Sequence, residues 1–402
     1  MSEVTLSEIC ELIVDCPHST AIDEGKGYPL VRTPNIGKGR LVYSGMHRVS
    51  EDVYNQRNQR AVPQEDDLIF AREATAGNVA LIQKGEKVCL GQRTVLIRPN
   101  KKYVVPSFLT YFLLAPKQQY NLLSTANGAT VAHVNLPTIR NLKLELPDLQ
   151  TQHYVGAILL RYDSLIENYQ QQINLLEEAA QRFYKEWFVD FRFPDYENTR
   201  IIDGIPEGWE KTNVNSILTF HRGYDLTHKE FVCGPYPVVG STSIIGNHNK
   251  YKIEGPGIVT GRSGSLGVYQ LIWDNYWPHN TSLYISDFKG HDLFYIYCLL
   301  KTVDFTTLNS GGAIPSLNRN TLSNISVMEP PMSLQAKFSE KVMPMFKRQR
   351  HLQSQVQLLT EARDRLLPKL MSGEISVETA QSVTSGLGVR KEQTGSPQAT
   401  DS

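Results

Sequence analysis

The first residues that could do chemistry in this 402-residue chain are carboxylates spaced near a lysine. Such groups are the residue types of a metal-dependent phosphodiesterase, in which carboxylates hold the metal. Two patterns of this kind are present, Asp15 with Glu24-x-Lys26 and Asp274 with Asp287-x-Lys289. These patterns arise by chance in most long chains, and the ten histidines show no H-E-x-x-H or triad-like context. A self-contained metal-dependent nuclease is therefore the minor alternative, and we predict no catalytic residue and no metal site.

The glycine and proline motifs of the sequence do not indicate a cofactor-binding site. Gly261, Gly264 and Gly267 have the wrong spacing for a dinucleotide-binding turn, so a plain loop is the better interpretation. The Pro-Pro pair after Glu329 lacks the preceding Asn/Asp and the following aromatic residue that clamp adenine in a DNA methyltransferase. The G-x-x-x-x-G-K-[ST] pattern of a motor ATPase is also missing. We expect no cofactor in this chain.

Sequence-specific DNA binding requires no such motif. It requires Arg, Lys, Asn, Gln, Ser or Thr side chains on loops that reach base edges or phosphates. Loops such as GKGRLVYSGMHR, REATAGN, IIGNHNKYK and GRSGS concentrate these types. Any one of these residues is more often plain surface, but as sets they favour a polar binding face. The candidates are Lys38, Arg40, Arg57, Arg60, Arg72, Asn78, Arg222, Asn247, His248, Lys250, Arg262 and Ser263. Because the formal net charge is +0, any basic surface must be local or shared with a partner.

A long amphipathic stretch from about Leu149 to Phe191 is the element around which these loops are organised. Its apolar residues follow a 4, 3 spacing, which is typical of a coiled-coil seam: Val155, Leu159, Tyr162, Ile166, Tyr169, Ile173, Leu176, Ala180, Phe183 and Trp187. At 1.5 Å per residue the stretch predicts a rod of roughly 60 Å.

A second rod repeats the first, 183 residues later. Its seam positions are Phe338, Val342, Met345, Gln349, Leu352, Val356, Leu359, Arg363, Leu366 and Leu370, of which Gln349 and Arg363 depart from the apolar pattern. Two rods that must each bury one stripe most simply pack on each other.

The ends of the two rods carry helix signals. Asp148 and Ser333, each shortly after a proline, are the possible N-caps. Pro344 should kink the second rod or mark its true start, and Gly373 should stop it. Beyond about Ser376 the chain is rich in Ser, Thr, Gly and Gln without an aromatic residue, so we expect a disordered tail.

The blocks before each rod also repeat, in chain order. YPLVRTPNI from Tyr28 corresponds to YPVVGSTSI from Tyr236, QRTVLI to HNTSLYI, and Arg72 to Arg262. We therefore predict an α+β fold with two similar globular domains and two long antiparallel helices as an internal repeat. The predicted boundaries are 1–147 for the first domain, 148–197 for its helix, 198–330 for the second domain, 331–375 for its helix and 376–402 for the tail.

Composition places the chain among globular proteins, with 41% hydrophobic and 20% charged residues. The start of the sequence lacks a basic region followed by an apolar run, and no stretch approaches eighteen apolar residues, so we expect a cytoplasmic protein without a membrane contact. The five cysteines never fall in a C-x-x-C spacing, which favours reduced thiols over a disulfide framework or structural zinc.

The combination of repeat and motifs resembles one family. IPEGW opens the second half, LPTIRNLKLELP leads into a helix reading Asp163-x-x-Ile166, and LLPKLMSGEI closes the second rod. Over about residues 1 to 375 the chain resembles the specificity subunit of a type I restriction-modification system. The resemblance implies that each globular domain is a target recognition domain that reads one half of a bipartite DNA site. It also implies that the two helices act as a spacer between the domains.

Further expectations come from the same resemblance. Arg72 and Arg262 would face DNA, and Leu175 and Leu358 would contact two modification subunits that methylate adenine with S-adenosylmethionine. Restriction subunits would add ATP- and Mg-dependent translocation and cleavage. An interaction scaffold whose domains bind proteins is an alternative; it would show no salt-dependent DNA binding when a modification subunit is present.

Overall fold

The structure, a computed structural model, describes residues 3–124, 133–262, 267–303 and 325–375. The predicted disordered tail, 376–402, lies outside these residues. The chain divides into two compact units: unit 1 is Met1–Gln170 with Ser354–Ser402, and unit 2 is Gln171–Gln353. Each unit therefore contains one globular block and one part of each long helix, and the domain boundaries given above stay a prediction. None of the helices in the described ranges combines the length and apolarity needed to cross a membrane.

The globular block of unit 1 alternates short strands and short helices. Its elements are β1 (Val4–Thr5), β2 (Cys10–Asp15), β3 (Tyr28–Val31), a 3-10 turn (Thr33–Asn35), β4 (His47–Val49), α1 (Glu51–Arg57), β5 (Leu68–Ala71), β6 (Val79–Leu81), β7 (Cys89–Leu90), β8 (Thr94–Pro99), α2 (Pro106–Leu114), α3 (Pro116–Leu123), α4 (Leu136–Arg140) and β9 (Lys143–Leu144). Antiparallel pairing builds the sheet β2-β8-β5-β6. A second sheet, β4-β3-β7, includes the parallel pair β3 and β7, and β1 pairs with β9.

Both faces of β5 are covered. Successive side chains of a strand point to opposite faces. Leu68 and Phe70 accordingly pack in the core that contains α2, while Ile69 and Ala71 pack in a second core with Val31. This is why the strand reads as an unbroken apolar run instead of an alternating one.

The first long helix, α5 (Leu149–Tyr184), is continued by a π-helical turn, Lys185–Val189. The Asp148 carboxylate accepts hydrogen bonds from the Thr151 N–H at 2.9 Å and from the Thr151 hydroxyl at 2.8 Å. It thereby satisfies one of the free amides of the first turn, so the predicted N-cap is confirmed.

The globular block of unit 2 repeats the plan of unit 1. Its elements are a 3-10 turn (Tyr196–Asn198), β10 (Ile201–Ile202), β11 (Ile205–Pro206), β12 (Glu210–Asn213), α6 (Val214–Ile217), β13 (Thr219–Arg222), a 3-10 turn (His228–Glu230), β14 (Tyr236–Val239), β15 (Ile244–His248), β16 (Gly257–Gly261), β17 (Tyr269–Ile272), β18 (Trp277–Pro278), β19 (Ser282–Asp287), α7 (Leu293–Thr302) and β20 (Ser326–Glu329).

Three sheets of unit 2 match the three sheets of unit 1. The four-stranded antiparallel sheet is β13-β19-β16-β17, and the three-stranded sheet β15-β14-β18 again contains one parallel pair, β14 with β18. β12 pairs with β20 as β1 does with β9, and β10 pairs with β11. The predicted α+β tandem repeat is confirmed.

The second long helix, α8, runs from Met332 to Ser372. It continues through Pro344, which therefore does not mark its start, and it stops before Gly373, whose φ of +74° suits glycine. The prediction that Ser333 is the N-cap is wrong, because Ser333 is the second residue of the helix. The Leu334 N–H donates instead to the carbonyl of Pro331 at 2.9 Å.

Every predicted seam position of both long helices is buried or half-buried. Within unit 2 the helices run antiparallel, because Glu177 accepts a hydrogen bond from Gln349 at 2.9 Å and, further along α5, the Trp187 ring lies 5.9 Å from that of Phe338. Gln349 thus has a polar partner, which accounts for one departure from the apolar pattern.

At the end of α5, the residue that follows a predicted seam position is more deeply buried than the seam position itself. Phe183 is only half-buried, whereas its neighbour Tyr184 is 3% exposed. A straight helix with 3.6 residues per turn drifts by about 20° per heptad against a strict seven-residue repeat. Over the four heptads from Val155 this drift approaches the angle of one residue, so the inward position moves from 183 to 184.

Candidate nucleic-acid interface

Three residues of unit 1 lie directly before β8. We call residues 91–93, and their equivalents in unit 2, the strand-entry loop. The Gly91 N–H donates to the carbonyl of Val31 at 2.8 Å, and the Thr94 hydroxyl donates back to the carbonyl of Gly91 at 2.9 Å. These bonds fix the loop to β3 and to the first residue of β8.

The strand-entry loop of unit 2, residues 279–281, is held in the same way. The His279 N–H donates to the carbonyl of Val239 at 2.9 Å, and the Ser282 hydroxyl donates to the carbonyl of His279 at 2.8 Å. Gln92 and Asn280 therefore occupy the same position in the two units.

Two flanking positions are matched by backbone bonds as well. In unit 1, the N–H groups of Cys16 and Arg72 donate to the carbonyls of Thr94 and Arg93 at 3.1 and 3.0 Å. In unit 2, the N–H groups of Gly223 and Arg262 donate to the carbonyls of Ser282 and Thr281 at 3.0 and 3.1 Å. Position 72 is thus equivalent to position 262, as the sequence predicts, and Asp15 is equivalent to Arg222.

Close packing of the backbone explains the glycine that follows Arg222. A Cβ placed on Gly223 would lie 2.1 Å from the carbonyl oxygen of His279. The chain after β13 therefore runs directly against the strand-entry loop, and this contact positions the neighbouring side chains.

Arg72, predicted to face DNA, is bonded within unit 1. It is 8% exposed, and its guanidinium reaches Asp15 Oδ2 at 2.7 Å, the carbonyl of Val134 at 2.9 Å and His133 Nε2 at 2.9 Å. The His133 ring in turn lies 2.6 Å from a carboxylate oxygen of Glu73. We therefore assign Arg72 to a closed ion-pair network and remove it from the candidate DNA contacts.

Arg57 has a similar placement. It is 5% exposed and donates to the carbonyl of Leu90 at 2.6 Å and of Ser19 at 3.0 Å. Because its donors are used inside the domain, we remove Arg57 from the candidate contacts as well. Arg60 is exposed and donates to the carbonyl of Asp15 at 3.1 Å.

The remaining candidates of unit 1 lie near the long helix or on the surface. Arg40 donates to the Ser164 hydroxyl on α5 at 2.9 Å, so it contacts the helix. Asn78 is half-buried and donates to the carbonyl of Ile36 at 2.9 Å. Lys38 is exposed. Of these three, Lys38 keeps the exposure that a phosphate contact requires.

Unit 2 presents its polar groups differently. Arg222 Nη2 donates to Asp225 Oδ1 at 3.1 Å, and Asn280 Nδ2 donates to the same oxygen at 2.5 Å. The Arg222 and Asp225 side chains are 50% and 75% exposed. Arg262 is also exposed. One carboxylate therefore holds an exposed arginine and a half-buried asparagine together.

Tyr224, the residue before Asp225, packs among aromatic residues. The Tyr224 ring stacks on Tyr284 with centroids 6.1 Å apart, their hydroxyls are 3.0 Å apart, and Lys252 Nζ lies 5.4 Å from the Tyr224 ring centre. Burial, together with the hydrogen bond to the Tyr224 hydroxyl, raises the pKa of Tyr284 well above its ordinary value. Tyr224 thereby anchors the segment that carries Asp225.

Other predicted residues of unit 2 are spread over neighbouring surfaces. Asn247 and Lys250 are exposed, while His248 is 7% exposed and packs edge-on against Trp277 at 5.1 Å. Its Nδ1 accepts the N–H of Val232 at 3.2 Å, so His248 is a packing residue. Ser263 lies outside the described residues.

The predicted subunit contacts, Leu175 and Leu358, are 63% and 58% exposed. They differ by 183 residues, so they are the same position of the repeat. Their contact with other subunits stays a prediction, because singly exposed apolar side chains are common on protein surfaces.

The nuclease patterns are not assembled. Asp15 pairs with Arg72, whereas Glu24 accepts a hydrogen bond from the Ser50 hydroxyl at 3.0 Å. In the second pattern, Asp274 pairs with Arg350 at 2.7 Å. Each carboxylate thus serves a separate local contact.

Sequence reasoning missed Gln92, Asp225 and Asn280. The alignment of QRTVLI with HNTSLYI already contained the signal for Gln92 and Asn280, because both precede a repeated strand. Asp225 has no such mark in the sequence.

Comparisons with known proteins identify the family of the chain and its fold. A family model, the type I restriction modification DNA specificity domain, matches residues 1–178 and again residues 206–357. The chain is 26% identical to the type I restriction enzyme MjaIX specificity subunit of Methanocaldococcus jannaschii, over 93% of each chain. It is 22% identical to the HindI specificity subunit of Haemophilus influenzae, over 70% of this chain and 80% of the relative.

A solved structure shares the fold. The type-I restriction-modification system S subunit from M. genitalium superposes with a TM-score of 0.57 at 16% identity, covering 92% of this chain and 95% of that one.

Proposed function

The chain belongs to the type I restriction-modification DNA specificity domain family, and we propose that it is the DNA sequence-specificity subunit of a type I restriction-modification complex. The observation that carries this proposal is the double match of the family model, once in each repeat. Each match includes a four-stranded sheet with its strand-entry loop. The chain would act in the cytoplasm, where it meets DNA.

Each unit would read one half of an asymmetric bipartite site. The backbone that presents the strand-entry loop is the same in both units, whereas the side chains on it differ. Base edges in the major groove present distinct patterns of donors and acceptors, so different side chains select different bases. The long helices would set the spacing between the halves.

The chain would not itself be catalytic. In this proposal, two modification subunits bind S-adenosylmethionine and methylate adenine, and Leu175 and Leu358 contact one each. Restriction subunits, where present, use ATP and Mg to translocate and cleave DNA. The specificity subunit contributes recognition and geometry.

Salt-dependent DNA binding tests the proposal. The chain is purified with and without its modification subunits, and its affinity for its cognate DNA and for scrambled DNA is titrated at several salt concentrations. We expect selective binding only for the assembled complex, because the chain has no net charge of its own and its apolar contact positions are exposed. Equal binding of cognate and scrambled DNA by the assembled complex would contradict the proposal.

A further inference from the structure

We propose that Arg222 and Asn280 are the specificity-determining residues of unit 2, and that Gln92 has the corresponding role in unit 1. This inference rests on the proposed function and adds the individual base contacts to it. It starts from the shared backbone frame, which places different side chains at equivalent points of the two units.

The main-chain hydrogen bonds that the two units share do not determine which side chains contact DNA. The equivalent N–H bonds of Cys16 and Gly223, and of Arg72 and Arg262, are made by the main chain and do not depend on the side chains. Asp15 and Arg222 can therefore differ without changing the fold.

The difference changes the charge at this one position from negative to positive. In unit 1, Asp15 neutralises Arg72 at 2.7 Å and the arginine is buried. In unit 2, Arg222 stands at the position equivalent to Asp15, and Arg262 is exposed. Two arginines thus occupy the positions that hold a closed ion pair in unit 1.

Asp225 prepares the unit 2 residues for base contact. It engages Arg222 through Nη2 and Asn280 through Nδ2. Fixing both side chains before DNA arrives reduces the side-chain entropy lost on binding. The carboxylate also keeps the long arginine side chain beside the asparagine.

The free groups match two bases. An arginine reads guanine by donating to O6 and N7, which needs two N–H groups, and Arg222 has five. An asparagine reads adenine by accepting from N6 and donating to N7. Asn280 retains its carbonyl oxygen and a second amide hydrogen for this purpose.

Gln92 offers the same chemistry at the equivalent position of unit 1. Its carbonyl oxygen accepts a hydrogen bond from the Thr20 hydroxyl at 3.1 Å, which orients the amide. Glutamine can bond an adenine as asparagine does. Unit 1 therefore has an amide reader beside the buried, ion-paired Arg72, whereas unit 2 has an amide reader beside the exposed Arg222, which Asp225 holds in place.

The test uses the complex with its modification subunits and a DNA library carrying every single-base change in the methylated site. Arg222→Ala and Asn280→Ala should each lower discrimination at one base pair of the same half-site by about 5- to 150-fold. Gln92→Ala should do so in the other half-site. Arg222→Lys keeps the charge but not the planar fork, so it should lose the guanine preference while keeping the salt dependence.

Arg200→Ala is the control, because Arg200 is an exposed arginine of unit 2 that lies outside the strand-entry loop. It should leave all preferences unchanged. Equal weakening on every DNA by Arg222→Ala, with Arg222→Lys like the parent, would identify a phosphate contact and overturn the proposal. Unchanged preferences in Asn280→Ala or Gln92→Ala would overturn it too. Failure of the proposed function itself looks different, because the parent complex would then show no preference at any base pair.

Discussion

Asp163 on α5 and Arg363 on α8 form a buried ion pair, with Arg363 Nη1 2.5 Å from Asp163 Oδ1. The Tyr111 hydroxyl donates to the other carboxylate oxygen at 2.5 Å. Burial, together with the Asp163 carboxylate, raises the pKa of Tyr111 well above its ordinary value, so the hydroxyl stays a donor. Arg363, a departure from the apolar seam, is therefore part of a satisfied polar network that ties both helices to α2.

Breaking this pair should destabilise unit 1. Arg363→Met leaves the Asp163 carboxylate, 3% exposed, without its counter-charge, and removing one partner of a buried pair costs about 3 to 5 kcal/mol. Denaturant titration measures the loss. The double variant Asp163→Leu with Arg363→Met should recover most of it, since the equivalent positions of unit 2, Phe346 and Ala180, pack as apolar residues. An Arg363→Met variant as stable as the parent would show that the ion pair does not stabilise unit 1.

Phe338 should be a principal anchor of unit 2. It is fully buried, and its ring lies 6.1 Å from Tyr184, 5.9 Å from Trp187 and 5.0 Å from Phe188. Phe338→Ala should lower the free energy of unfolding by about 3 to 5 kcal/mol because a cavity remains. Phe183→Ala is the matched comparison and should cost less, since Phe183 is half-buried. Equal losses in thermal or denaturant unfolding would contradict the assignment of Phe338 as the stronger anchor.

Leu175 and Leu358 should matter for assembly and not for folding. Replacing an exposed side chain usually changes stability by less than about 0.5 kcal/mol, so Leu175→Asp should unfold like the parent. Its charge would oppose an apolar contact and weaken binding of one modification subunit. Analytical ultracentrifugation of the mixture should then show complexes with one modification subunit in place of two. Full assembly by the Leu175→Asp, Leu358→Asp double variant would exclude this surface.

Sequence and structure agree best where periodicity or repetition carries the information. The 183-residue repeat of the seam and the matched strands follow from apolar burial, which a sequence records directly. The roles of Arg57 and Arg72 could not be read in this way. Their partners, such as Leu90 and Asp15, are distant in sequence, and an arginine on a loop looks alike whether it is buried or exposed.

The seam at Phe183 shows a second limit. A heptad template assumes 3.5 residues per turn, and a small angular difference accumulates along a helix of 36 residues. The pattern therefore places Trp187 correctly but puts the neighbouring inward position at Phe183, one residue before the more deeply buried Tyr184.

The central claim is that the two units read different half-sites independently. Its most direct test replaces residues 198–330 with the equivalent block of a relative, in a cell that carries the modification subunits, and maps methylated adenines across the genome. We predict an asymmetric bipartite site in the parent, and in the chimera a site in which one half changes and the other stays. A continuous palindromic site in the parent, or loss of both halves in a chimera that still folds and assembles, would contradict the account.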